Sequence, residues 1–372
     1  MSKWRQYLYL LVNKLGGTYP LRRIDASTLF CARNQVKEAV IIEETPLPRP
    51  HISFTPLCDR GTLEFFGFFG HGRKKSHLVA VEHEGGVSRM YDLEHRTMHE
   101  IASPSRWKFC NPVSLAVGEA LYVMDREPLP DDHCSFEVLT VDDPSIDELM
   151  CKPNSSWHCL QPLPFVLEPG YERSYPVGYT VDGSSNILVS TPGIGTYSFD
   201  TSSRSWRKAG DWELPFCGRA EFLTEYNVWL GFSSQDDLLC YSSDVATPGQ
   251  GGPALDMVWE DLDPPRCWVP RKTQLVRLGS NKFCVAKFFE RIFNAVSDQL
   301  CIPVVEKFAV LTGLVLKPTT KQRGLVMVKH RSHIYRFEGP VGCFENWTFI
   351  QHYRGGHEMA SHKLGPVACR LF

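Results

Sequence analysis

The stretch GIGTYSFDTSSRSWRKAGDWELPFCGRAEFLTEYNVWLGFSS, residues 193–234, decides how this chain is read. An alternating run ends in the aromatic-Asp pair Phe199-Asp200 and meets a polar turn, Thr201-Ser202-Ser203. Trp206 follows that Asp by six residues and opens a second run through Ala209. After the breaker Gly210 and a loop through Pro215 come two more alternating runs, 219–224 and 228–232. Apolar–polar alternation over about four to eight residues, bounded by Gly, Pro, Ser and Asp, is the pattern of half-buried β-strands. A succession of four short strands is therefore the unit of the chain.

That unit recurs in both directions. Runs at 7–12, 19–24 and 38–43 open the series, the last stopped by Thr45-Pro46-Leu47-Pro48-Arg49-Pro50. A second group reads 62–69, 77–82, 88–92 and 98–102, and a third 113–117, 121–125, 135–141 and 156–160. The fourth is 177–181, 187–190, 196–199 and 205–209; the fifth is 220–224, 228–232, 238–241 and 257–262. The sixth is 273–278, 282–288, 307–316 and 324–337. Asp142 to Trp157 and Asp244 to Trp259 both span fifteen residues, as if one turn carried an insertion in two groups. Six units over roughly 330 residues give about 55 each, near the period of about 50 of kelch propeller blades. One four-stranded sheet cannot bury both faces, so such units stack and hide each other's apolar sides. A Trp at the start of a last strand has the size to wedge between neighbours.

Two stretches depart from the pattern. Phe289, Ile292, Phe293, Val296 and Leu300 fall at helical spacing, so residues 289–300 are expected to form a short helical insertion. Residues 339–372 show neither period and are expected to be an irregular tail, docked through Phe344, Trp347 and Phe349. The expected division is a propeller over 1–338 and the tail over 339–372. Because the first group supplies only three strands, residues within 324–337 are expected to provide its fourth.

The 372 residues, 43% hydrophobic and 22% charged, suit a globular chain with a large core. A formal net charge of -2 removes the broad basic footprint of a nucleic-acid binder. The basic run from Gly70 through Arg73-Lys74-Lys75 reads as a solvated loop. Residues 7–12 are too short an apolar run for a signal-peptide core, and no stretch approaches a membrane span. The 13 cysteines are odd in number and contain no CxxC, so reduced thiols are expected, with no disulfide framework and no zinc clip. These readings together lead to a cytoplasmic or nuclear monomer.

The residues quoted above resemble kelch-type β-propellers, most closely in Phe199-Asp200-Thr201-Ser202-Ser203-Arg204-Ser205-Trp206. More narrowly, the chain is similar to a large family of plant kelch-like propellers numerous in grasses. That likeness is carried by 19–30, 196–206, Gly210-Asp211-Trp212, 218–222, 308–313 and 328–332. It implies an all-β, kelch-like propeller of six blades, with five as the alternative, and it brings no catalytic residues. The double glycine that ends the second strand of ordinary kelch blades is absent, since 121–125 and 228–232 lack it.

No constellation selects a reaction. His95 and His99 with Glu100 have the spacing of a helical metal pair, but their surroundings read as strand–turn–strand, where that spacing does not converge. Gly193-Ile194-Gly195 enters a strand and not a helix, so it is no phosphate loop. Asp131-Asp132-His133 and Asp142-Asp143 read as solvated acidic turns, and 22–25 as cross-strand charge pairing. A copper centre on such a scaffold would need converging Tyr and His ligands, and no spacing selects a set. No catalytic, cofactor-binding or metal residue is therefore assigned. The expectation is a non-enzymatic scaffold whose loops bind another protein, the alternative being an enzyme with its site in a central channel.

Overall fold

The computed structural model describes residues 7–12, 17–30, 42–58, 61, 63–68, 77–82, 87–93, 95–106, 108, 112–141, 154–182, 185–246, 248–249, 251–259, 264–297, 300–319, 324–337 and 348–352. Among these residues the regular elements are strands and short 3-10 turns, such as Ala26–Leu29 and Pro164–Leu167, with no α-helix. The chain is all-β, in several sheets. It forms two compact units, one from described residues of 1–55 and 261–353, the other from those of 56–260.

In chain order the strands begin with β1 (Tyr7–Val12), β2 (Tyr19–Asp25), β3 (Ile42–Glu44) and β4 (Pro50–Phe54). β5 (Leu63–Phe68), β6 (His77–Glu82), β7 (Ser88–Asp92) and β8 (Met98–Ile101) make one antiparallel sheet. β9 (Val113–Val117), β10 (Ala120–Met124), β11 (Phe136–Val141) and β12 (Ser155–Leu160) make the next. Then come β13 (Gly178–Val181), β14 (Asn186–Thr191), β15 (Gly195–Asp200) and β16 (Ser205–Gly210). β17 (Phe216–Leu223), β18 (Val228–Ser233), β19 (Leu239–Ser242) and β20 (Met257–Trp259) follow. These last two groups merge into eight strands, because β13 and β17 pair in parallel with Gly178 opposite Gly218. The approach is tight: a Cβ on Gly178 would lie 2.5 Å from the Phe216 carbonyl oxygen. The chain ends with β21 (Val269–Arg277), β22 (Lys282–Ser297), β23 (Leu300–Thr319), β24 (Gly324–Arg336) and β25 (Thr348–His352).

In the unit of residues 56–260, the opening stretch behaves as its pattern requires. The β15–β16 hairpin pairs Phe199 with Trp206 and Asp200 with Ser205. Phe199 is wholly buried, and its ring lies 4.9 Å from Phe136 of β11 and 4.9 Å from Trp206. Trp206 is half-buried between those two sheets, and its indole N–H donates to Gln161 O at 2.9 Å. The preceding group uses the same device. Trp157 of β12 donates to Ala102 O at 2.9 Å, and Ala102 follows β8 just as Gln161 follows β12. The tryptophans of β12 and β16 thus each hook onto the backbone leaving the group before, which satisfies the indole N–H while the ring packs. Gly210 leaves room for another indole: a Cβ there would come within 2.1 Å of Trp212 Nε1.

Asp200 sets the hairpin turn. Its Oδ1 accepts from Ser202 Oγ at 2.6 Å, Ser202 N at 2.8 Å and Ser203 N at 3.3 Å. These bonds favour the carboxylate, the Ser202 hydroxyl most, and hold Asp200 down at about 2. A folded value below the unfolded one contributes stability above about pH 4 that disappears as pH falls toward 2. Wild type should therefore melt above Asp200→Asn at pH 6, and the gap should close by pH 2. A gap constant with pH would show that the carboxylate does not hold the turn.

In the unit of residues 1–55 and 261–353, the strand order of one sheet is β25-β1-β2-β4 and of the other β21-β22-β23-β24-β3. They share a core of Leu8, Leu10, Ile24, Leu29, Leu278, Cys284 and Leu311, among others. Four expectations are corrected here. Residues 289–297 are not helical: β22 runs extended, each residue facing one in β23, with Phe289 opposite Phe308. Phe288 packs into the core just described and Phe289 into a separate cluster with Phe308, Val310 and Ile334. The apolar residues Phe289, Ile292, Phe293 and Val296 fall at helical spacing in the sequence alone, while the cross-strand ladder with β23 holds the segment extended. The tail is not wholly irregular, since Thr348–His352 pairs with β1, Phe349 opposite Leu11. That pairing, and not residues within 324–337, supplies the fourth strand beside β1 and β2. Ile42–Glu44 leaves the first group altogether and pairs in parallel with β24, while β4 takes its expected place.

Candidate functional site

The residues singled out in sequence go to separate structural tasks. His95 Nδ1 lies 2.8 Å from Asp92 Oδ2 in the β7–β8 turn, whereas His99 Nε2 lies 3.1 Å from Thr97 Oγ1. The two rings do not converge. Gly193 N donates to Glu213 Oε1 at 2.8 Å, at the β14–β15 turn. Arg23 lies over the Tyr7 ring, and Asp25 Oδ1 accepts from Ser27 N at 2.9 Å to start the 3-10 turn. Asp132, expected in a solvated turn, is 6% exposed and lies 3.1 Å from Arg106. Its Oδ1 also accepts from Cys134 N, so burial is matched by hydrogen bonds and charge. The run from Gly70 to Lys75, Asp142-Asp143, Phe344 and Trp347 lie outside the described residues.

Two features stand out instead. The first is the β22–β23 hairpin. β21 pairs with β22 only as far as Glu290, and β24 with β23 only from Phe308. Beyond those points residues 291–297 and 300–306 form a ribbon of two strands, and no other strand flanks it among the described residues. Charge clamps its base. Glu290 meets Arg271 at 2.6 Å and Lys307 at 3.3 Å; Glu306 meets Arg291 at 2.7 Å and also Arg336. Just past this belt Ile292 is 60% exposed and Phe293 41% exposed. The helical reading of 289–300 hid this ribbon, although Ile302, Val304 and Val305 continue the β-branched text of the next run.

The second feature overturns the expectation of reduced thiols with no disulfide: Cys134 and Cys159 are joined, with Cα atoms 4.9 Å apart. No short-range spacing announces a pair 25 residues apart; the Asp132 turn folds Cys134 back onto β12. Beside it Glu137 is wholly buried. Its Oε2 is 2.6 Å from Lys108 Nζ and its Oε1 accepts from Ser105 N at 2.9 Å. Lys108 Nζ also donates to Cys134 O. Cys159 Sγ lies 3.5 Å from Ser105 Oγ and 3.8 Å from Glu137 Oε1. Elsewhere, burial pushes the Cys240 thiol up to about 12 and Cys284 higher still, so both behave as apolar side chains.

Among solved structures, the chain is similar to the β-propeller domain of Cps50 (Swd1) from Myceliophteria thermophila. The TM-score is 0.40 at 10% identity, over 82% of this chain and 90% of that one. It is also similar to a protein from Lactobacillus plantarum, with TM-score 0.40 at 11% identity, over 90% of this chain and 100% of that one. No curated protein matches it. Residues 5–335 match the family described as "Protein of unknown function (DUF1668)", and the chain belongs to that family.

Proposed function

We propose that this chain is a non-enzymatic scaffold whose four-stranded groups are the blades of a six-bladed, kelch-like propeller, and that it binds a protein partner through the β22–β23 ribbon. The ribbon carries the reading. Large apolar side chains in water cost free energy that a partner recovers by covering them. Ladder edges that no described strand pairs with accept an extended segment as a further strand. Ile292 shares one ribbon face with Glu290 and Lys307, and Phe293 the other with Arg291 and Glu306, so each exposed apolar side chain has charges beside it that give a contact a polar rim.

Affinity capture from cell extract with wild type and with Ile292→Asp/Phe293→Asp, analysed by mass spectrometry, tests this. Both side chains are exposed, so the variant should melt within a few degrees of wild type. It should lose a defined set of captured proteins, because truncating a central apolar anchor costs about 2 kcal/mol or more of binding, some thirtyfold in affinity. An identical captured set for the two proteins would overturn the ribbon as the docking site. Capture of nothing by either would overturn the scaffold reading.

A further inference from the structure

We propose that Cys134 and Cys159 are a reversible modification site, a dithiol that exchanges with small disulfides of the glutathione type and thereby locks or releases the outer strand of the β9–β12 sheet. The pair is placed for this in three ways. Cys159 lies on β12, the outermost strand, in an exposed position, so a small disulfide reaches its sulfur from solvent. Cys134 is held in a turn by Asp132 and by the bond from Lys108 Nζ to its carbonyl, so its approach to Cys159 does not depend on the S–S bond. Ser105 Oγ stands 3.5 Å from Cys159 Sγ, where its hydroxyl can donate to a thiolate.

A metal is the competing use of two sulfurs beside a carboxylate, and the cluster of Cys134, Glu137 and Cys159 has the reach for one. The carboxylate is already committed. Oε2 binds the Lys108 ammonium and Oε1 the Ser105 amide, which leaves two sulfurs where a structural zinc takes four protein ligands. The buried cation beside Glu137 also opposes a second cation there.

The exchange balances without further reagents. The Cys159 thiolate attacks one sulfur of glutathione disulfide; that S–S bond breaks and one glutathione thiolate leaves. The Cys134 thiolate then attacks the Cys159 sulfur of the mixed disulfide and expels the second glutathione thiolate. Two electrons pass from the protein sulfurs to glutathione, and the two thiol protons end on the released glutathione. Oxidised, β12 is tied covalently to the turn before β11. Reduced, it rests on its ladder with β11 and on the Trp157–Ala102 hydrogen bond.

The test is a titration of the full chain in buffers from fully reduced to fully oxidised glutathione, approached from both ends, with acid quench, alkylation and peptide mass spectrometry. The expected result is a Cys134–Cys159 cross-linked peptide that appears and disappears along one curve, while Cys240 and Cys284 remain thiols. Amide exchange in β12 should slow by about tenfold or more on oxidation. In Cys134→Ser, Cys159 should accumulate as a stable glutathione mixed disulfide. Three results would overturn the proposal: a pair still linked in fully reduced glutathione, a pair never linked in excess glutathione disulfide, or stoichiometric zinc bound by the reduced chain and lost in Cys159→Ser.

Discussion

Lys108→Met should destabilise the protein by about 3–5 kcal/mol, the range for removing one partner of a buried ion pair. Lys108 is 4% exposed and Glu137 wholly buried, with Nζ and Oε2 2.6 Å apart. Removing the ammonium leaves a carboxylate out of water whose remaining hydrogen bond among the described residues is from the Ser105 amide. The double variant Lys108→Met/Glu137→Leu should recover most of the loss, since apolar residues of similar volume often replace such a pair without penalty. Urea unfolding of the four members of this cycle measures the coupling. Single losses that simply add in the double variant would show that the pair is not coupled. Arg106–Asp132 and Ser105–Glu137 tie the same connecting segment to the β11 turn, so the singles should also release that segment.

Phe199→Ala should cost a comparable amount, about 3–5 kcal/mol. Its ring is wholly buried and meets Tyr122 and Phe136 of the neighbouring sheet and Trp206 of its own hairpin. The cavity cannot collapse easily, because the surrounding rings are held by two sheets at once. Trp206→Ala should cost less, about 2–3 kcal/mol, since part of that indole is already in water. Trp206→Phe keeps most of the packing and loses the bond to Gln161 O, worth about 1 kcal/mol. Thermal unfolding of the three variants should rank them in that order. A Trp206→Ala protein less stable than Phe199→Ala would place the centre of this core elsewhere.

The sequence by itself determined the grouping of strands within residues 56–260 and the anchors inside those groups. Apolar–polar alternation is written into adjacent residues of β15, Thr196-Tyr197-Ser198-Phe199, and marks it as a strand although both of its faces are buried. Turn chemistry is equally local: Asp200 accepts from residues two and three positions on, so Asp-Thr-Ser-Ser announces its own hairpin. The outer-strand tryptophans were legible as residues following a turn, Trp206 six residues after Asp200 and Trp157 fifteen after Asp142. Only the tertiary structure decided the rest. Residues 289–297 carry apolar residues at helical spacing, and only the ladder with β23 makes them a strand. Thr348–His352 becomes a strand because β1 offers an open edge more than 330 residues away, and nothing local encodes that edge. Cys134 meets Cys159, and Lys108 meets Glu137, through turns and strand register that bring distant residues together. Local order is set by neighbours in sequence; partners across a sheet are set by which edges remain to be covered.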